Sequence, residues 1–202
     1  VGNPWAVACA PMAEPSATTT DGASDRTELI PRADQPLPTG ADKTASVQAL
    51  FDTIAPRYDL VNRIMTFRMD VGWRRRALDM LGLAAGARVL DLASGTGDLA
   101  AEMTARGLVP VGADLSFGML AAAPNPFPRV QADGVALPFP NGALDGATCG
   151  FALRNFTDLD ATIAELARVI RPGGRMALLE VAEPPNPIMA FCGALSLQAF
   201  LA

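Results

Sequence analysis

Two spacings of apolar residues divide this chain. Val47, Leu50, Phe51 and Ile54 recur at three- to four-residue intervals, the mark of one helix face, and the run breaks at Pro56. A second helical region is expected over roughly Leu60 to Leu81, carrying Trp73 and the basic run Arg74-Arg75-Arg76. From Arg88 onward short apolar runs alternate with stretches of helix formers, which predicts an α/β fold with a parallel sheet and right-handed crossovers. Strands are expected at Arg88 to Leu92, Val109 to Asp114, a short piece near Val130, Gly146 to Phe151 and Arg175 to Val181, in the order 3-2-1-4-5. Thr157 with Asp160 resembles a capping box opening a helix whose Leu159, Ile163, Leu166 and Ile170 share a face. Pro172-Gly173-Gly174 stops that helix.

Outside these elements the pattern fades. Val1 to Gly40 holds six prolines among Ser, Thr, Asp and Ala residues and reads as a disordered leader. The expected divisions are a leader over 1–41, a helical cap over 42–86, an α/β domain over 87–183 and an uncharged apolar tail over 184–202. No internal repeat is visible.

The first strand leads into Gly95-Thr96-Gly97, where glycines allow a sharp turn and close approach of a ligand. Val89, Leu90 and Leu92 suit a strand covered on both faces. The stretch from Gly95 to Ala100 also fits the dinucleotide fingerprint, which places a pyrophosphate on the turn and helix start. Asp91 and Asp98 bracket the turn and oppose such an anion. They suit a ligand that presents an ammonium and a sulfonium, as S-adenosylmethionine does. The plain alternative, a turn acid and a helix-start acid, stays open.

Further candidates follow the later strands. Asp114 ends the second strand, and its two carboxylate oxygens match the cis diol of an adenosyl ribose. A helix-start acid beside Ser116 is the alternative. Asp133 precedes Ala136-Leu137-Pro138-Phe139-Pro140, where it would accept from an adenine amino group or simply close a turn. Arg154 and Asn155 follow the fourth strand, at the sheet edge where α/β folds place ligands. They would hold an oxygenated ring and a water, or be a surface arginine beside a turn asparagine. Arg74 to Arg76 read as a solvated helix face in preference to a lipid-binding patch.

Composition narrows the chemistry. Half of the 202 residues are hydrophobic, enough for one domain with a core. A net charge of −5 argues against nucleic-acid binding, which needs a basic footprint. Cys9, Cys149 and Cys192 are odd in number and widely spaced, fitting a reducing cytoplasm and no zinc or other metal site. No apolar run reaches the roughly 18–20 residues that span a bilayer, and no basic residue precedes the apolar stretch Trp5 to Ala10, which argues against a secretory signal. The chain has no histidine, so proton transfer must use a carboxylate, Tyr58, a cysteine or a positioned water.

Together the residues resemble the ubiquinone/menaquinone biosynthesis C-methyltransferases, a class I S-adenosylmethionine-dependent family. The resemblance runs from about Val47 to Pro187. It is carried by Phe51-Asp52-x-Ile54-Ala55-Pro56-Arg57-Tyr58-Asp59-Leu60 and Leu90-Asp91-Leu92-Ala93-x-Gly95-Thr96-Gly97-Asp98. Leu137-Pro138-Phe139-Pro140, Leu153-Arg154-Asn155 and Arg171-Pro172-Gly173-Gly174-Arg175 complete it. It implies a Rossmann-like three-layer sandwich with N-terminal helices. Cofactor contacts carry over to Thr96, Asp114, and Asp133 with Gly134, and Tyr58 is expected at the methionine end. A contact that is often serine falls on Gly150, where only backbone can serve, and Ala152 replaces a usual glycine.

The implied activity is C-methylation of a prenylated quinol ring, demethylmenaquinol foremost, with Arg154 and Asn155 organising the ring oxygen and a proton-accepting water. Peripheral contact with the inner face of the membrane and self-association are further expectations. Family members continue for several dozen residues, so the last two strands are expected to be absent. Two other readings stay open: a non-catalytic paralogue that binds cofactor or a partner, and a methyltransferase for another phenol or lipid.

Overall fold

A computed structural model describes residues 40–55 and 69–180. The elements in chain order are α1 (Gly40–Ile54), α2 (Met69–Leu81), β1 (Arg88–Leu92), α3 (Asp98–Ala105), β2 (Val109–Asp114) and α4 (Phe117–Ala122). Then come β3 (Arg129–Gln131), β4 (Leu144–Gly150), a 3-10 turn (Leu153–Asn155), α5 (Leu159–Val169) and β5 (Ile170–Leu179). The five strands form one parallel sheet in the order β3-β2-β1-β4-β5, as the chain pattern predicts. Tyr58, the expected leader and the expected tail lie outside the described residues.

Alternation along β1 distributes the two sides of the sheet. Leu90 and Leu92 pack with Leu137, Phe139, Leu144, Leu166 and Val169 on the α5 side. Val89 packs with Leu78 and Leu81 of α2 and with Leu99 and Met103 of α3 on the other. Asp91, two residues past Val89, is thereby turned toward the α2 and α3 layer. In β4 the thiol of Cys149 is fully buried among the α5-side residues, and desolvation pushes its pKa up to about 12.

Three local expectations are corrected. Helix α5 is capped by Asp158, whose side chain accepts from Ala161 N–H, and not by Thr157. Thr157 is instead engaged by Thr44 of α1 through a 2.9 Å hydroxyl–hydroxyl bond. Ile170 has already left the helix and pairs with Leu144, while Leu159 is exposed. The register slips across Pro172-Gly173-Gly174 and resumes at Arg175 opposite Gly146, so β5 starts earlier than expected. Finally, β4 ends at Gly150, and Phe151 turns out of the sheet with φ 61.

The Leu137-Pro138-Phe139-Pro140 segment is fastened from α5. Arg168 donates to the carbonyls of Leu137 (3.0 Å) and Phe139 (2.8 Å), while Glu165 accepts from Leu137 N–H (2.7 Å). The Arg168 guanidinium holds the Glu165 carboxyl below its usual range. This segment follows β3 and carries the chain past Gly134 on its way to β4.

Candidate active site

The carboxyl ends of β1, β2 and β4 open into one cavity of about 330 Å³. Helix α1 crosses above it, placing Val47 and Phe51 on the wall. Its two ends are tied to loops on opposite sides. Lys43 donates to the carbonyls of Arg154 (3.2 Å) and Phe156 (2.9 Å) after β4. Asp52 accepts from Ser116 Oγ (2.5 Å) and Gly118 N–H (2.8 Å) after β2. Lys43 and Asp52 were not among the expected site residues, yet they bound the cavity's roof.

The turn after β1 forms the floor. Gly95 has φ 53, and Ala93 beside it has φ 53 without being glycine. Ala93 and Phe151 are the non-glycine residues in this left-handed region among those described, and both line the cavity. Such conformations cost about 1–3 kcal/mol each and gather where a site over-determines the backbone. Gly97 is different. It has φ 84, but it does not line the cavity, and a Cβ there would lie 2.4 Å from the Phe127 ring. What its missing side chain does in this structure is admit Phe127.

Two carboxylates shape the electrostatics. Asp91 is buried; Thr148 Oγ1 donates to its Oδ1 at 2.9 Å, and Oδ2 makes no hydrogen bond, although the Ala100 N–H is near enough to the carboxyl to favour its charged form. Burial raises its pKa from 3.8 to about 7, opposed by the Thr148 hydroxyl. Asp114 accepts from Gly95 N–H on Oδ2 (2.7 Å) and from Ser116 N–H on Oδ1 (2.8 Å). Its pKa is raised by desolvation, with those N–H groups pulling the other way. An ionised carboxylate offers about four acceptor sites, so both oxygens can still receive a hydroxyl.

Asp91, Gly95, Thr96, Asp114, Asp133, Gly134, Gly150 and Asn155 all line this cavity. Asp133 Oδ1 also accepts from Val135 N–H at 3.2 Å, so it serves its turn as well as facing the cavity. Arg154 is not brought in. Its side chain is 61% exposed and pairs with Glu180 at 3.4 Å, outside the lining. Asp98 also lines the cavity, where it pairs with Arg74 at 2.8 Å. Arg74 overturns the reading of the triple arginine as a solvated face. It is buried against Asp70 (2.9 Å) and lines the cavity, while Arg75 and Arg76 point outward.

Comparison with known proteins agrees with this geometry. A model of the ubiE/COQ5 methyltransferase family matches residues 39–201. The chain belongs to that family. Demethylmenaquinone methyltransferase of Thermus thermophilus is 47% identical over 146 residues, covering 68% of this chain and 66% of its own. The enzyme of the same name from Beutenbergia cavernae is 43% identical over 159 residues, covering 77% and 66%. The chain thus spans just under two thirds of the length of these relatives. Among solved structures, the cyclase SpnF superposes with TM-score 0.62 at 21% identity, covering 75% of this chain and 63% of that one. A candidate S-adenosyl-L-methionine-dependent methyltransferase of Methanococcus maripaludis gives TM-score 0.60 at 15% identity, covering 74% and 71%. These two establish the Rossmann-like class I methyltransferase fold for this ubiE/COQ5 member.

Proposed function

We propose that this protein transfers a methyl group from S-adenosylmethionine to a ring carbon of a prenylated quinol, demethylmenaquinol foremost. The observation that carries the reading is Asp91, a buried carboxylate on the cavity wall with one oxygen unclaimed. An amino-acid ammonium would satisfy that oxygen and return Asp91 to its charged form, whereas a pyrophosphate would repel it. Asp114, at the end of β2, supplies the two acceptors that a ribose diol needs. The names of the relatives at 47% and 43% identity support the quinone substrate.

When bound, S-adenosylmethionine supplies an electrophilic methyl group. The chain's own residues orient and exclude. Phe51 and Val47 of α1 give the cavity an apolar roof that suits a ring and keeps water away. Asn155 on the wall is our candidate for holding a ring hydroxyl. Arg154, next to it, pairs with Glu180 outside the cavity; swung inward from that pairing, it is our candidate for positioning the water that takes the phenolic proton. Deprotonation there raises electron density on the ring carbon, and alignment of the reactants is worth about 7–11 kcal/mol. The substrate must be the reduced quinol, because a quinone carbon is itself electrophilic. Among the described residues no helix is long and apolar enough to cross a membrane.

Methyl-labelled S-adenosylmethionine incubated with demethylmenaquinol under reducing conditions tests the reading. Label is expected in the quinol and not when the oxidised quinone replaces it. Cofactor binding without transfer to any prenylated quinol would sink the substrate assignment, and micromolar NADH binding would sink the cofactor assignment.

A further inference from the structure

The cavity's charges are lopsided. Its lining carries five aspartates, Asp91, Asp98, Asp114, Asp133 and Asp158, against one basic side chain, Arg74. The proposed cofactor is lopsided in the same sense, with an ammonium and a sulfonium against one carboxylate. That carboxylate has a single cation to meet among the described lining residues.

Arg74 is also built to meet it. Its pairings with Asp70 (2.9 Å) and Asp98 (2.8 Å) both run through Nη1. No hydrogen bond joins Nε or Nη2 to a side chain or carbonyl of the described residues beyond these two carboxylates. The guanidinium is fixed from a further side by the Phe151 ring, 5.9 Å from its carbon, and that ring stands 6.2 Å from Trp73. A planar guanidinium with its remaining edge unclaimed suits a two-point carboxylate bond, which a lysine ammonium cannot reproduce. Arg74 also lies close enough to Asp91 to act on it electrostatically. An ammonium on Asp91 and a carboxylate on Arg74 would then belong to one amino-acid group.

We propose that Arg74 is the receptor for the α-carboxylate of the cofactor and so selects S-adenosylmethionine over cofactors that lack this group. This rests on the methyltransferase reading above. Asp70, fully buried on the same helix, is the positioning residue that holds the guanidinium in place.

The test compares binding of S-adenosylmethionine and of decarboxylated S-adenosylmethionine to the full chain by calorimetry. The unaltered protein is expected to prefer the carboxylated form by about ten- to a hundredfold, the range for hydrogen bonds to a charged group. In Arg74→Met that preference should fall to near unity, chiefly through weaker binding of the carboxylated form. Removing Arg74 deprives buried Asp70 of this partner, so the same comparison is made in Asp70→Asn/Arg74→Met if the single variant does not fold. A preference that survives in the folded variant, or two ligands weakened equally, overturns the assignment and leaves the methyltransferase reading standing. Failure of the folded, unaltered chain to bind either ligand removes that reading, and this inference with it.

Discussion

Replacing Asp91 with asparagine should stabilise the ligand-free protein at alkaline pH while damaging its site. The carboxyl is buried, and its pKa rises from 3.8 to about 7 on folding, mainly by desolvation. That rise corresponds to about 4 kcal/mol of preference for the neutral acid. Below about pH 4 both folded and unfolded chains hold the proton, and the group is neutral toward stability. Between about 4 and 7 the unfolded chain releases the proton first, so stability falls as pH rises. Above about 7 the whole cost is present. Asparagine keeps an acceptor for Thr148 but puts an amide where Oδ2 lacks a partner, which costs about 1–3 kcal/mol at any pH. The net gain at pH 8 is therefore about 1–3 kcal/mol. Urea unfolding of both proteins at pH 5 and pH 8 isolates the effect, because the amide cost cancels between the two. The stability gap between variant and original should widen by about 2–3 kcal/mol from pH 5 to pH 8. A gap that stays constant would mean that Asp91 is not a strained ion in the free protein.

Three further outcomes can be measured. Asp114→Ala should weaken S-adenosylmethionine binding by about 1.5–3 kcal/mol, roughly ten- to a hundredfold by calorimetry, and unchanged affinity would take Asp114 out of the site. Arg154→Ala should lower turnover at least about tenfold with cofactor affinity nearly constant, and normal turnover would make its pairing with Glu180 a surface contact only. Gly97→Ala should destabilise the fold by about 1–3 kcal/mol, since its Cβ would lie 2.4 Å from Phe127 at φ 84. Trimming Phe127 to leucine in the same chain should recover part of the loss in thermal unfolding, and no recovery would point to the backbone alone.

The sheet was legible because its signal is local. The apolar runs at Val89 to Leu92, which carries Asp91, and at Val109 to Ala113, which ends in Asp114, lie between helix-forming stretches, and that sets strand limits and parallel order together. The candidate cavity residues were legible for the same reason, each sitting at or near the carboxyl end of a strand. Tertiary contacts decided the rest. Thr157 and Asp158 are equal capping candidates in sequence; Thr44, from a helix more than a hundred residues away, takes the first. The glycine at 97 answers to Phe127, thirty residues on. Arg154 and Asn155 are adjacent in a 3-10 turn, where about 120° per residue sends neighbours in different directions, so one faces the cavity and the other Glu180. Arg74 is the instructive miss. Asp70, Arg74, Ala77, Leu78 and Leu81 are the buried positions of α2, and that spacing is a helical core face. The signal was present, hidden by reading three arginines as one block.

The thiol at the centre of the sheet offers a reporter that needs no engineering. Thiolates, not thiols, react with alkylating agents. Cys149 has no exposed surface, and its pKa stands near 12. At neutral pH its alkylation therefore waits for the sheet to come apart. Pulse alkylation followed by mass measurement of the peptide around Cys149 would then count openings of the β1–β4 seam, separately from events at the other two cysteines. Because β4 lies beside β1 and its Asp91, slower labelling at saturating S-adenosylmethionine would report ligand binding through the core itself, with no need of the proposed quinol.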